Sequence, residues 1–73
     1  MVKVYSKNNC MQCKMVKKYL DEHDVAYTEH NIENEPEYRD YVISLGYQAV
    51  PVVETPAGES FYGFRPDQLK ALV

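Results

Sequence analysis

The sequence predicts an α/β domain in the order β-α-β-α-β-β-α, a four-stranded mixed sheet with three helices. Three observations predict it. Short β-branched and aromatic runs fall at residues 2–5, 25–32, 49–53 and 60–62. Between the first two lies a stretch with apolar residues at three- and four-residue spacing. Pro and Gly punctuate the remainder at the positions where elements must begin or end.

Val2-Lys3-Val4-Tyr5 alternates and reads as the first strand. A polar loop, residues 6–9, follows, with Asn9 expected to cap a helix. From Cys10 to about Glu22, Cys13, Val16 and Leu20 recur at helical spacing, and Met15 and Tyr19 widen that stripe. Lys14, Lys17 and Lys18 fall largely off it. Asp21, Glu22 and Asp24 mark its exit. Residues 25–32 read as the second strand. The helix between these two strands makes them parallel, with a right-handed crossover.

Asn34 precedes Glu35-Pro36-Glu37, a helix entry with Pro and acids in its first turn. Tyr38, Tyr41, Val42 and Leu45 give that helix its apolar face, and Gly46 is placed to end it. Ala49-Val50-Pro51-Val52-Val53 reads as a strand, with Pro restricting it to a start, a bulge or an edge. Thr55-Pro56-Ala57-Gly58-Glu59 is a hairpin turn into the strand Ser60-Phe61-Tyr62. Gly63 breaks that strand. Pro66-Asp67 opens a last helix through Leu69, Ala71 and Leu72.

The whole chain, residues 1–73, reads as one small domain. A chain of this length buries only roughly 60% of its unfolded surface. MVKVYSKNN lacks an apolar signal core, and no run is long enough for a bilayer, so a cytoplasmic protein with no membrane partner is expected. The net charge of −3 is uneven: five Lys and no acid in the first twenty residues, eight acids against Arg39 in the next twenty. Nothing in that balance suggests a nucleic-acid partner. The Lys-rich end favours an acidic one. Nothing marks a dimer seam, so a monomer is expected.

The chemistry centres on Asn9-Cys10-Met11-Gln12-Cys13-Lys14, which holds both cysteines. A structural staple is the weak reading: so short a loop contributes only about 2 kcal/mol, and lasting disulfides are rare in the cytoplasm. A zinc site needs two further ligands, and only His23 and His30 are offered. His23 falls about 19 Å from Cys10 by helical rise. No metal is therefore expected. Reversible redox chemistry fits best. Positions i and i+3 share a helix face at a separation a disulfide can span. Cys10 sits at the positive end of the helix and is expected to be the nucleophile; Cys13 lies on the apolar stripe and is expected to resolve. Lys7 and Lys14 are candidates to assist the thiolate. A C-x-x-C beside a βαβ pattern points to thioredoxin-like redox chemistry.

Three motifs in order, Tyr5-Ser6-Lys7-Asn8-Asn9-Cys10-Met11-Gln12-Cys13, Gln48-Ala49-Val50-Pro51-Val52-Val53 and Gly63-Phe64-Arg65-Pro66-Asp67, resemble those of glutaredoxin-like redoxins of the NrdH type. The resemblance runs from Val4 to Leu72. It implies a thioredoxin fold and electron delivery to the large subunit of class Ib ribonucleotide reductase. It also implies re-reduction by thioredoxin reductase, with NADPH used indirectly and no bound cofactor. It implies a cis Val50–Pro51 bond beside Cys10, where an incoming peptide adds by strand-like hydrogen bonding. Met11, Gln12, Phe61, Gly63, Phe64 and Arg65 are the candidate partner-binding residues. Phe64 is either a partner contact or a core anchor; Arg65 either ties down the last turn or binds substrate.

In one respect the chain departs from that family. Phe61-Tyr62 stands where Trp-Ser is usual, so any hydrogen bond from the indole does not carry over. Two rival functions are a glutathione-dependent glutaredoxin and a non-catalytic interaction module of the same fold. The bulky Gly63–Asp67 turn is expected to fill the groove that glutathione would use, and the intact Cys pair argues against the module.

Overall fold

The computed structural model describes residues 1–73. Its elements are β1 (Val2–Ser6), α1 (Met11–Glu22), β2 (Tyr27–Asn31), α2 (Pro36–Ser44), β3 (Val52–Glu54), β4 (Ser60–Tyr62) and α3 (Pro66–Leu69), with a 3-10 turn over Lys70–Leu72. The sheet order is β2-β1-β3-β4. β1 and β2 are parallel; β1–β3 and β3–β4 are antiparallel. This is the mixed four-stranded sheet with three helices that the sequence predicts.

Alternation along the strands sorts side chains to two faces. Val2 and Val4 of β1 pack with Val16 and Leu20 of α1, Val53, Phe61 and Leu69 of α3. Tyr5 and Val52, one residue out of phase, point the other way and pack with Val42 of α2 and Val50. The sheet therefore lies between α1 and α3 on one face and α2 on the other. Cys13, in the first turn of α1, belongs to the second cluster, with Cys10 against its margin. Helix α1 thus contributes to both clusters, Val16 and Leu20 to the first and Cys13 to the second.

Several boundaries differ from the sequence expectation. β2 starts at Tyr27, because Asp24, at φ 54°, and Val25 turn the chain out of α1 first. β3 starts at Val52, after the proline, which has no N–H to give a ladder. Met15 is 40% exposed, so it widens the apolar stripe of α1 little. In α2 only Val42 is buried, while Tyr41 and Leu45 are more than a third exposed. A nine-residue helix packed alone on one face of the sheet covers too little surface to bury a broad face of its own. Gly46 follows the cap residue Leu45 with φ +97°, the left-handed backbone that ends the helix.

Candidate active site

The loop before the cysteines is held from its far side. The Asn8 N–H donates to Glu33 Oε1 at 2.7 Å, and Asn31 Nδ2 donates to Asn8 Oδ1 at 3.1 Å. Asn9 then adopts φ 55°, a left-handed conformation that asparagine tolerates better than most residues. This turn shifts the helix start by one residue. The expected cap, Asn9, lies outside the helix, and Cys10 is the N-cap. Its extended backbone (φ −115°, ψ 107°) turns Sγ onto the first turn, where it accepts the Cys13 N–H at 3.2 Å.

Cys10 and Cys13 form a disulfide with Cα atoms 5.2 Å apart. Their surroundings differ. Cys13 is 1% exposed among Tyr5, Val42, Val50 and Val52, whereas Cys10 is half-buried. Lys7 and Lys14 are exposed and form no ion pair. Met11 is exposed beside the pair.

Two backbone segments flank the disulfide. One is the cis Val50–Pro51 bond. Val50 and Pro51 are buried, yet neither the N–H nor the C=O of Val50 bonds to another backbone group. The other is the turn after β4. The Gly63 N–H donates to the Pro51 carbonyl at 2.8 Å, and the Phe64 N–H donates to Gln12 Oε1 at 3.2 Å. Gly63 has φ +87°, the left-handed backbone that favours glycine, and an added Cβ would lie a tight 3.3 Å from Gln12 Oε1. Phe64 is half-buried against the α1/α3 core, 6.4 Å edge-to-face from Tyr19. Arg65 reaches Asp67 with Nε at 3.4 Å and Nη2 at 3.3 Å, and that hydrogen bonding holds the Asp67 carboxyl below its usual value.

Phe61 is placed in the core, 9% exposed, and the exposed aromatic of that strand is its neighbour Tyr62, at 43%. The structure thus brings Cys10, Cys13, Gln12, Val50, Pro51, Gly63 and Phe64 to one end of the sheet and leaves Phe61 behind it. A groove of about 240 Å³ runs beside Val50, lined in part by Ile32, Arg39, Val42 and Tyr47. The histidines are engaged elsewhere. His23 packs on Tyr19 at 4.3 Å, and His30 stacks between Tyr38, at 3.9 Å, and Tyr5, at 5.6 Å. No helix is long and apolar enough to cross a membrane.

Two polar networks support the site and were not read from the sequence. Ser6, the last residue of β1 and wholly buried, donates to Glu29 Oε2 at 2.7 Å, and Lys17 Nζ donates to the same oxygen at 2.8 Å. Burial opposes ionisation of Glu29, but these two donors together outweigh it and hold the carboxyl below its usual value. On the other face Tyr5 donates to Glu54 Oε1 at 3.1 Å, and Tyr41 donates to Glu54 Oε2. Burial first, and Glu54 second, push the Tyr5 hydroxyl far above its usual range. The signal for Glu29 lay in the β2 alternation, which puts it on the Lys17 side; the Glu54 pairing follows from sheet order and had none.

Residues 2–58 match the glutaredoxin family model. The chain is 56% identical over 72 residues to the glutaredoxin-like protein NrdH of Lactococcus lactis, covering 99% of each. It is 31% identical to the protein of that name from Escherichia coli, covering 97% of this chain and 86% of the other. Among solved structures, the NrdH-redoxin of Escherichia coli superposes with a TM-score of 0.93 at 28% identity, covering 99% of this chain and 93% of that one. The work on that structure concerns a thioredoxin-like activity profile in a glutaredoxin-like protein.

Proposed function

This chain belongs to the glutaredoxin family as a redoxin of the NrdH type, a thiol-disulfide oxidoreductase of thioredoxin fold, and we propose that it carries electrons from thioredoxin reductase to class Ib ribonucleotide reductase. NADPH is the ultimate donor, through thioredoxin reductase. The observation that carries the reading is the asymmetry of the pair: a half-buried cap cysteine at the positive end of α1 and a buried partner one turn on.

The reaction follows from that asymmetry. In the reduced protein the Cys13 N–H and the helix end favour negative charge on Cys10 Sγ. The Cys10 thiolate attacks one sulfur of the partner's disulfide. That S–S bond breaks, and the other partner sulfur leaves as a thiolate and takes a proton. Cys13, deprotonated, then attacks Cys10 Sγ, the mixed disulfide breaks, and the second partner sulfur leaves. Two electrons have passed to the partner, and the Cys10–Cys13 disulfide remains. Thioredoxin reductase reverses the sequence with two electrons from NADPH.

The partner segment lies along Val50, whose unpaired N–H and C=O are open to strand-like bonding. The adjoining groove carries Arg39, and Lys7 nearby, against the single carboxylate of Glu33, and that balance favours an acidic segment. The cytoplasm, where NADPH-driven recycling operates, is the proposed location, and the working form is a monomer. The glutathione-dependent reading is supported by the family match to glutaredoxins alone.

The test oxidises the protein and follows NADPH consumption with two recyclers, thioredoxin reductase or glutathione with glutathione reductase. Rapid turnover with thioredoxin reductase alone is expected, followed by support of class Ib ribonucleotide reductase. Rapid turnover with glutathione alone would replace this reading with a glutathione-dependent glutaredoxin.

A further inference from the structure

The two backbone segments beside Cys10 are unequal. At Val50 a donor and an acceptor are free. At Gly63 and Phe64 both donors are already used, one by the Pro51 carbonyl and one by Gln12 Oε1. The second of these bonds comes from a side chain that lies between the two cysteines in sequence and rides on the same first turn of α1. Gln12 also lies close enough to Gly63 that a Cβ there would come within 3.3 Å of its Oε1.

We propose that Gln12 is a specificity-determining positioning residue: it latches the Gly63–Phe64 turn to the cysteine-bearing end of α1, so that ligands are held through Val50 alone. The inference rests on the proposed reading that the natural partners are proteins. A protein segment reaching the disulfide brings contact area well beyond the two flanking walls, so one open edge suffices. A small thiol such as glutathione has few atoms with which to offset its lost freedom and needs donors on both sides. With the Phe64 N–H occupied, one of those donors is withdrawn. The latch also keeps the Phe64 ring packed on the α1/α3 core near Tyr19, which closes the turn from behind. Gln12, assigned from the sequence to partner contact, acts here through the turn.

The experiment compares Gln12→Leu, which removes the acceptor, with Gln12→Glu, which keeps one. Gln12 is exposed, and thermal melts establish that both variants are folded. The first measurement is amide hydrogen exchange at Phe64, with Gly63 as internal reference because its acceptor is unchanged. The second is the ratio of turnover with thioredoxin reductase to turnover with glutathione, two glutathione molecules supplying the two electrons that open the disulfide. Losing one hydrogen bond of ordinary strength, Gln12→Leu is expected to speed Phe64 exchange and lower the ratio, each by about fivefold. Gln12→Glu is expected to restore both. Unchanged Phe64 exchange in Gln12→Leu overturns the latch. Faster exchange with an unchanged ratio overturns the specificity role, as does a Gln12→Glu protein that behaves like Gln12→Leu. Should the unaltered protein not be recycled by thioredoxin reductase, the functional reading fails by itself. Phe64 exchange and the glutathione rate then still decide the latch.

Discussion

The Cys10 sulfur accepts the backbone N–H of Cys13 at 3.2 Å, so the residue expected to attack is also the residue that caps α1. A capping side chain ordinarily supplies oxygen; here sulfur occupies the position, and the helix terminus is placed against the reacting atom. Cys13 presents its N–H to that sulfur while its own side chain is 1% exposed. The difference in burial and hydrogen bonding between the two cysteines is built into one helical turn.

Cys10→Ser is accordingly expected to abolish reduction of protein disulfides, at least a hundredfold in rate on the order expected for loss of a nucleophile. Cys13→Ser is expected to form a mixed disulfide and stop there. Non-reducing electrophoresis with an oxidised protein substrate separates the two outcomes. A Cys13→Ser protein that turned over without added thiol would reverse the assignment.

Glu29 links the end of β1 to α1 through Ser6 and Lys17. Its folded carboxyl is held below the unfolded value, so its contribution to stability is present above the unfolded carboxylate range and is lost as pH falls through the lowered folded value. Glu29→Gln is expected to destabilise the protein at neutral pH by about 1 kcal/mol, discounted for the solvent exposure of the pair, and to flatten the acid limb of the stability curve. Urea unfolding between neutral pH and acid reads both effects. Parallel curves for the two proteins would show that Glu29 titrates alike when folded and unfolded.

The alkaline side behaves in the opposite sense. The Tyr5, Tyr27 and Tyr41 hydroxyls are raised, Tyr5 and Tyr27 by burial first and Tyr41 by its hydrogen bond to Glu54 first. A raised folded value means that the stability is fully present below the unfolded phenol value of about 10 and is lost as pH rises through the folded one. Absorbance titration of the seven tyrosines is expected to leave a late-ionising component whose last part Tyr5→Phe removes. A single transition for all seven in the folded protein contradicts the Tyr5–Glu54 pairing.

Gly63→Ala tests the turn. The backbone at φ +87° is strained for alanine, and the new Cβ meets Gln12 Oε1 at 3.3 Å. A loss of about 1–2 kcal/mol is expected. Gly46→Ala makes the control: its φ is +97°, but a Cβ there meets nothing within 4 Å. Equal midpoint shifts in urea for the two would mean that Gln12 yields freely and does not crowd position 63.

The order of strands and helices was legible because it depends on local pattern: two-residue alternation in β1, the Cys13–Val16–Leu20 spacing in α1, Pro36 and Pro66 at helix starts. The Cys pair was equally plain, since a helix brings residues three apart to one side whatever surrounds it. The boundary at Cys10 was not, because Asn9 is a good cap by composition and only the loop's anchorage to Glu33 and Asn31 turns it into the left-handed residue before the helix. Phe61 could not be told from an exposed partner residue until β3 paired with β4 and set which side of the strand faces Val16 and Leu20.

By itself, then, the sequence determined the element order and the Cys pair at the start of α1, both governed by bonds and contacts within a few residues. Only the tertiary structure decided that Gln12 reaches Phe64 across 52 positions, that Tyr5 finds Glu54 across 49, and that Val50 keeps its backbone free. Those pairings depend on sheet order and on which face each strand turns inward. Packing of the whole chain settles these together, and no local stretch encodes them.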